Sequence, residues 1–158
     1  MRLKYSLDTS ALLEAWRRSY PLDVFPSLWR QLEQLIRSGH LRATEEVYYE
    51  LKRQDDDVFQ WAGEQSELFV QLDEEIQLVV QSILRRFPKL VDTRKSRSGA
   101  DPFVIALAIS NEATVVSNER RNNSPDRPHI PDVCEAMGIR CITILELIRE
   151  QGWVFRTG

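Results

Sequence analysis

The sequence has 158 residues, of which 42% are hydrophobic, enough for one hydrophobic core and short for two. Its 21 basic and 24 acidic residues give a formal net charge of -3, which argues against indiscriminate nucleic-acid binding through bulk charge. Cys134 and Cys141 form no C-x-x-C pair and the only histidines are His40 and His129, so the usual ligand arrangement of a structural zinc site is absent from the sequence. No apolar run suits a signal peptide or a membrane span, so we expect one cytoplasmic domain over residues 1–158.

The first third of the chain alternates short strands with longer helices. Residues 3–7 alternate apolar and polar side chains, as a strand does, and Asp8-Thr9-Ser10 is typical of a cap for a helix that runs to Arg17 or Arg18. Further elements are predicted as a helix from about residue 28 to Gly39, a short strand at 41–43 and a helix over 44–53. Asp55-Asp56-Asp57 is interpreted as a solvated turn without a function.

The middle of the chain is predicted to form a helical insert or hairpin at about 57–90. Apolar residues from Trp61 to Phe87 keep helical spacing, with breaks near Gly63 and Asp73. Later elements are predicted as a helix opened by Asp101, a strand at 114–117, a helix at 131–137, a strand at 141–143, a helix at 144–150 and an edge strand at 153–155. Strands separated by helices imply right-handed crossovers, so we expect an α/β fold with a mostly parallel sheet and its site at the carboxyl ends of the strands.

Four acidic residues fall where such a fold would bring them together. Asp8 directly follows the first strand, and Glu119 follows the strand at 114–117. Asp101 starts a helix that is otherwise apolar nearly all round, and Glu50 lies in the second turn of its helix. Several carboxylates within a few ångströms repel one another unless some are protonated or a cation lies among them. Hard oxygen ligands without His or Cys favour Mg²⁺ or Mn²⁺ as that cation.

Each acid also has an ordinary structural interpretation. Asp8 can cap the helix that follows it, and Asp101-Pro102 is the preferred pairing of an N-cap Asp with Pro at the first helical position. A single Glu on an amphipathic helix or after a strand is usually a solvated surface residue. Spacing alone does not choose Glu50 over Glu45 or Glu46 on the same helix.

The four acids lie in short blocks whose order and spacing resemble a known family. The blocks are Leu7-Asp8-Thr9-Ser10-Ala11-Leu12-Leu13, Val47-Tyr48-Tyr49-Glu50-Leu51, Ala100-Asp101-Pro102-Phe103-Val104-Ile105-Ala106 and Val115-Val116-Ser117-Asn118-Glu119. Together they resemble the signature of PIN domains, metal-dependent nucleases that include the VapC toxins of bacterial toxin-antitoxin pairs. The segment from Trp16 to Trp29 and Ile130-Pro131-Asp132-Val133-Cys134 further resemble a bacterial PIN-like subfamily catalogued as a domain of unknown function. The resemblance spans nearly the whole chain.

The resemblance implies a fold, an activity and partners. The fold would be a three-layer α/β/α sandwich with a helical insert. The activity would be hydrolysis of RNA phosphodiester bonds by an endoribonuclease that depends on Mg²⁺ or Mn²⁺, the toxin of a type II toxin-antitoxin system. The expected partners are an RNA substrate, a cognate antitoxin protein and a second copy of the chain in a homodimer.

The resemblance also assigns roles by position. The metal-binding and catalytic acids would be Asp8, Glu50, Asp101 and Glu119. The residues that orient water or a carboxylate would be Ser10, Ser117 and Asn118. Two features depart from VapC-like proteins, because the fourth acid there is more often Asp and the loop after it is short, whereas the loop after Glu119 is long and basic. Asp132 is a spare acid that can replace Glu119, or equally begin a helix with a first-turn charge.

Basic residues flank two of the acid blocks. Those ahead of the third block are Arg94, Lys95 and Arg97, and those after the fourth are Arg120, Arg121 and Arg127. A single-stranded RNA needs cations beside an acidic rim, so we expect these residues to contact phosphates. Solvated loop charge is the alternative interpretation.

Other enzyme classes fit the sequence less well. Haloacid-dehalogenase-like phosphatases need a second Asp two positions after the first, and that position is Ser10. A nucleophilic pair of His129 and Cys134 has no spacing that would orient either side chain.

The second hypothesis is a protein-interaction module that catalyses weakly or not at all. The helical stretch at 61–87, with Trp16 and Trp29 nearby in sequence, offers more amphipathic surface than a minimal core needs. A partner or a second copy can cover part of that surface. A structure-specific DNA nuclease is a further alternative.

Overall fold

A parallel sheet and eight α-helices make up the described part of the chain. The computed structural model describes residues 2–91, 99–124 and 126–157. The strands are β1 (Tyr5–Leu7), β2 (Leu41–Thr44), β3 (Phe69–Val70), β4 (Thr114–Val116) and β5 (Cys141–Ile142). The helices are α1 (Thr9–Glu14), α2 (Pro26–Arg37), α3 (Glu45–Gln54), α4 (Asp56–Glu64), α5 (Glu74–Arg86), α6 (Asp101–Asn111), α7 (Ile130–Ala136) and α8 (Ile144–Gln151). A π-helical segment at Ala15–Ser19 extends α1, and a short 3-10 turn spans Pro88–Leu90.

The order of the strands reverses at the centre of the sheet. The order is β3-β2-β1-β4-β5, and each neighbouring pair is parallel. From β1 the chain moves outward to β2 and β3, and it then returns to the other side of β1 for β4 and β5. Leu7 lies opposite Val116, and Val116 lies opposite Ile142, so the carboxyl ends of β1, β4 and β5 are level. Ligands of open parallel sheets bind where the strand order reverses, here between β1 and β4.

Helices cover both faces of this sheet. Right-handed crossovers place α2 and α3 on one face and α5, α6 and α7 on the other. Contacts agree with this division, because α6 packs on α5 and α7, whereas α3 packs on α1 and α4.

The most buried helix of the described structure is α6, as its apolar sequence predicts. It packs on β1, β2 and β4 as well as on α5, and Val104, Ile105, Ala106 and Ala108 have no exposed surface. Because α6 leads directly into β4, it runs antiparallel to the strands. Its first residue, Asp101, therefore lies at the carboxyl edge of the sheet.

Three tryptophans form an aromatic cluster in the core. The ring of Trp29 contacts those of Trp16 and Trp61, with centroids 4.9 Å apart in both pairs. Trp29 is 1% exposed and donates its indole N–H to the carbonyl of Tyr20 at 2.8 Å. Trp29 and Trp61 therefore belong to the core. They are not part of an exposed surface that a protein partner could cover, which was one possibility raised by the sequence.

The predicted helical insert is interrupted. Between α4 and α5, Phe69 and Val70 form an edge strand that pairs in parallel with Ala43 and Thr44 of β2. Leu68, just before this strand, has no exposed surface. Short apolar runs satisfy helical and strand spacing equally well, so periodicity did not separate a two-residue strand from the helices beside it.

Two smaller predictions also differ from the structure. Asp55 is no solvated turn residue, because its Oδ1 accepts the backbone N–H groups of Asp57 and Val58 and caps α4. Its Oδ2 pairs with Arg17 at 2.8 Å. Residues 153–155 form no strand, and β5 remains the described edge on that side.

The helices are short compared with a bilayer. The longest described helix, α5, has 13 residues. Within residues 2–91, 99–124 and 126–157, no helix has the length and apolarity needed to cross a membrane.

Candidate metal centre

Three carboxylates are buried at the carboxyl edge of the sheet. Asp8 is 2% exposed, Glu50 8% and Asp101 6%. No other charged side chain among the described residues is buried. A buried charge is unfavourable unless it is paired, protonated or bound to a cation, so this concentration of acids needs a physical reason.

Asp8 joins the ends of β1 and β4. Its backbone N–H donates to the carbonyl of Val116 at 2.9 Å. Its Oδ2 accepts the hydroxyls of Ser10 at 2.5 Å and Ser117 at 2.8 Å. The backbone N–H groups of Thr9 and Ser10 also act on the carboxylate, although their geometry is not that of a helix cap. Burial raises the pKa of Asp8, and the two serine hydrogen bonds oppose that rise.

The two serines also hold the segment that follows β4. Their hydroxyl oxygens lie 3.2 Å apart. Ser10 Oγ accepts the backbone N–H of Asn118 at 3.0 Å, and Ser117 Oγ accepts that of Glu119 at 3.1 Å. Asn118 therefore enters this network through its backbone, and its residue as a whole is exposed.

Glu50 approaches Asp8 from α3. Burial raises the pKa of Glu50 to about 7, and the charge of Asp8 adds to the rise. Arg53 and a hydrogen bond from the backbone of Ala100 act in the opposite direction. The link to Ala100 ties Glu50 to the first turn of α6, so Asp8, Glu50 and Asp101 belong to one neighbourhood.

Glu46, one turn before Glu50, is the weaker candidate on α3. It is half-buried, and burial raises its pKa, but the carboxylate that acts on it is that of Glu45 and not Asp8. Glu46 and Glu50 each keep one buried carboxylate oxygen without a hydrogen-bond partner in the described structure. The influence of Asp8 therefore favours Glu50.

Asp101 is not the N-cap that its pairing with Pro102 predicts. It is the first residue of α6, Pro102 is the second, and Ala100 takes the capping position. Ala100 has helical dihedral angles, and its carbonyl accepts the N–H of Val104 at 3.0 Å. The register of the helix start is thus one residue earlier than predicted, and the ordinary capping explanation does not account for the burial of Asp101.

Glu119 lies at the margin of the three buried acids. It is half-buried. A hydrogen bond with Cys141 and burial raise the pKa of the Cys134 thiol, and the charges of Asp8 and Glu119 raise it further. Glu119 and Asp8 are therefore both close to Cys134. A thiol that resists ionisation is a poor nucleophile, which argues against the pair of His129 and Cys134.

Nearly the whole sequence matches the model of a protein family. Over residues 5–155 it matches a family described as a domain of unknown function, DUF4411. The chain belongs to the DUF4411 family. No match was found among curated proteins.

The fold of this DUF4411 domain is also found in solved structures. Twelve chains match it, among them one in the crystal structure of DNA-bound VapBC from Salmonella typhimurium. That match has 19% sequence identity and a TM-score of 0.54, and it covers 89% of this chain and 98% of the other. At this identity the likeness shows the fold alone, and it confirms the predicted PIN-like α/β fold.

Asp132 has a structural role in the DUF4411 domain. Its Oδ2 accepts the backbone N–H groups of Asn122 and His129, both at 2.9 Å, and its Oδ1 accepts that of Asn123 at 3.3 Å. Despite partial burial, these bonds lower the pKa of Asp132. Asp132 fastens the loop after Glu119 to the start of α7, and both of its carboxylate oxygens are occupied by this structural role.

Replacing Asp132 tests this role. Asp132→Ala is expected to lower the free energy of unfolding by about 1–3 kcal/mol at pH 7, because three backbone donors lose their acceptor. Since the pKa of Asp132 is lowered, its contribution is present above the ordinary Asp pKa and is lost as the pH falls through the lowered value. Urea denaturation at neutral and acid pH measures both effects. Asp126→Ala, an exposed change in the same loop, is the control. Unchanged stability together with lost Mn²⁺ binding would return Asp132 to the ligand set.

Of the six basic residues that we expected to contact phosphates, the structure describes three. Arg94, Lys95 and Arg97 lie outside the described residues. Those after Glu119 are exposed, and they are Arg120, Arg121 and Arg127. Arg121 is engaged by Glu135 at 2.6 Å, whereas the other two form no ion pair within the described ranges. The Asp132-anchored loop after Glu119 thus carries two exposed cations, Arg120 and Arg127.

Arg53 is a cation near Glu50 that was not among the residues predicted from the sequence. Its charge acts on Glu50, and it is exposed on α3. Arg53 lies three residues after Glu50, and residues at this spacing are neighbours on a helix surface. That spacing on a predicted helix was the available signal.

The donor chemistry fits a hard divalent ion, although the side chains do not close around one. Within the described residues, no three Asp, Glu, His or Cys side chains are arranged to hold a metal. Mg²⁺ is commonly held by one or two carboxylates with water completing its coordination, so a closed cage is not required. The buried, unpartnered oxygen of Glu50 and the carboxylates of Asp8 and Asp101 are donors of the kind that Mg²⁺ and Mn²⁺ prefer.

Proposed function

We propose that this protein is an endoribonuclease that depends on Mg²⁺ or Mn²⁺ and hydrolyses RNA phosphodiester bonds. The observation that carries the proposal is the burial of Asp8, Glu50 and Asp101 at the strand-order reversal of the sheet. Burial and the charge of Asp8 raise the pKa of Glu50 to about 7, and a divalent cation among the acids would favour their ionised forms.

In this proposal Asp8, Glu50 and Asp101 would hold the metal and Glu119 would complete the acidic rim. A divalent ion held there would supply Lewis-acid chemistry, which activates water and offsets negative charge on a phosphate. Ser10 and Ser117 restrict the orientation of Asp8, because both donate to the same carboxylate oxygen. Arg120 and Arg127 contact the phosphates that flank the scissile bond.

We further propose that the protein is the toxin of a type II pair, forms a homodimer and is silenced by a cognate antitoxin. The resemblance to VapC-like toxins and the structural match to VapBC support this proposal. Adding the protein encoded beside it should abolish RNA cleavage and raise the melting temperature. A strict monomer in light scattering with no stabilisation by that protein would contradict the partner proposal.

The activity is tested with purified protein and a labelled structured RNA. Cleavage is expected with Mn²⁺ and not with a chelator, and single-stranded DNA of the same sequence is expected to stay intact. Cleavage of DNA in preference to RNA would favour the DNA nuclease instead. Cleavage that persists in chelator would contradict the metal-dependent mechanism.

An interaction module without catalysis is the second candidate. The observation that favours it is that no three donors among the described residues are arranged to hold an ion. Calorimetric titration with Mn²⁺ separates the candidates. A nuclease should bind the ion and lose that binding in Asp8→Asn, whereas an interaction module should give no heat in either protein.

A further inference from the structure

One exposed aromatic residue lies next to a buried acid in the sequence of α3. Tyr49 precedes Glu50 on α3 and is 51% exposed. No other Phe, Tyr or Trp within the described ranges is exposed to this degree. Exposed aromatic rings pack well against planar, partly polar ligands, because one body supplies both apolar contact and hydrogen bonding.

Other aromatic rings hold Tyr49 in place. Its ring meets that of Tyr48 edge to face, with centroids 5.5 Å apart. Tyr48 in turn packs against Phe59 at 4.9 Å and Phe69 at 5.2 Å. A ring supported in this way loses little conformational freedom when a ligand stacks on it, so binding to it costs less entropy.

A cation lies on the same surface of the helix. Arg53 is four residues after Tyr49, and residues at this spacing are about 5–6 Å apart on one face. The guanidinium is exposed, and its charge reaches Glu50. The ring of Tyr49 and the guanidinium of Arg53 therefore share one exposed face of α3, and the charge of Arg53 acts on the buried carboxylate of Glu50.

We propose that Tyr49 and Arg53 form a binding subsite for one unpaired nucleotide, with the base stacked on the tyrosine ring and a neighbouring phosphate contacted by the arginine. This inference rests on the proposed nuclease function, since it places the subsite next to the reacting phosphate. A free base has a π face available for stacking, whereas a base in a duplex is already stacked and paired. The subsite would select unpaired nucleotides at one position of the substrate and tolerate differences in base identity.

The first experiment measures binding in chelator, so that catalysis does not enter. A fluorescent single-stranded RNA is titrated with wild type, Tyr49→Ala, Tyr49→Trp and Arg53→Ala. Tyr49→Ala is expected to weaken binding roughly 5- to 150-fold and Tyr49→Trp to retain it. Arg53→Ala is expected to reduce the slope of log affinity against log salt by about one charge's worth, close to 0.7 for a single strand. Val154→Ala removes exposed apolar surface elsewhere and should bind like wild type.

The second experiment locates the nucleotide. A series of RNAs carries an abasic residue at one position each. Wild type should lose affinity for one member of the series, and Tyr49→Ala should be indifferent to that same change, because the partner of the base is already absent. A Tyr49→Ala protein that stays folded, binds as wild type does and responds to the same abasic position would overturn the proposal.

The two proposals fail separately in these experiments. Wild type that cleaves RNA, with Tyr49→Ala equal to it in binding and cleavage, retains the nuclease and rejects the subsite. Wild type that binds RNA through Tyr49 and cleaves nothing retains the subsite and rejects the nuclease. Binding of duplex and single strand with equal affinity, unaffected by Tyr49→Ala, also rejects the subsite.

Discussion

Asp8→Asn and Asp101→Asn are each expected to reduce metal-dependent RNA cleavage by more than about 100-fold, since loss of a residue that only supports a metal ligand already costs about 10- to 100-fold. Both side chains are buried, and the amide keeps the size of the carboxylate while removing its charge. Cleavage of a labelled RNA at saturating Mn²⁺ measures the loss, and Mn²⁺ titration shows whether metal affinity falls in parallel.

A matched control separates loss of charge from loss of fold. Asp23→Asn makes the same chemical change at an exposed position and should leave cleavage unchanged. Asp8→Asn and Asp101→Asn should keep the far-ultraviolet circular dichroism of wild type, and Asp8→Asn should gain stability without metal at neutral pH, because burial raises the pKa of Asp8. Full cleavage activity in both variants would contradict the role of Asp8 and Asp101 as metal ligands, and cleavage by neither variant nor wild type would end the nuclease proposal.

The metal-free protein is expected to lose stability between about pH 4.5 and pH 7 because of Glu50. The pKa of Glu50 is raised from 4.5 to about 7 in the folded state, so the folded protein keeps a proton that the unfolded chain has released. The contribution of Glu50 is fully present below about pH 4.5 and is lost as the pH rises through 7. At pH 8 the loss amounts to roughly 1–3 kcal/mol, the lower figure allowing for solvent screening.

Glu50→Gln should remove this part of the pH dependence. In chelator at pH 8 the variant is expected to have the higher free energy of unfolding, and at pH 4.5 the two proteins should be equal. Mn²⁺ should stabilise wild type at pH 8 more than it stabilises Glu50→Gln. Glu67→Gln, an exposed change, serves as the control. Identical pH profiles for wild type and Glu50→Gln would mean that Glu50 is ionised and solvated in the folded protein.

The sequence pointed to Asp8 and Asp101 because each marks an element boundary. Asp8 ends an alternating strand and Asp101 opens an apolar helix, and both boundaries are visible in local composition. The sequence did not distinguish Glu50 from Glu46 as the buried acid, because that choice depends on how α3 is rotated about its axis against the sheet. Rotation follows from packing with β2 and β3, and β3 itself was hidden in a run of helical spacing.

The hydroxyl network was predicted in position but not in geometry. Both Ser10 and Ser117 donate to one oxygen of Asp8, and this requires Leu7 to lie opposite Val116. Register between distant strands is set by the packed core, and local sequence does not encode it directly. The role of Asp132 was uncertain for the same reason, since its three backbone donors belong to a loop whose path is decided by tertiary contacts.

The pairing of β1 with β4 has a consequence for how the protein is made. The hydrogen bond between Ser117 and Asp8 closes over 109 residues, so translation at roughly 5–20 residues per second separates synthesis of the two partners by about 5–20 seconds. During that interval the emerging chain carries Asp8 on a strand without its β4 neighbour. A polypeptide released before residue 117 lacks the serine and the strand that position this aspartate, and incomplete translation products should therefore be inert.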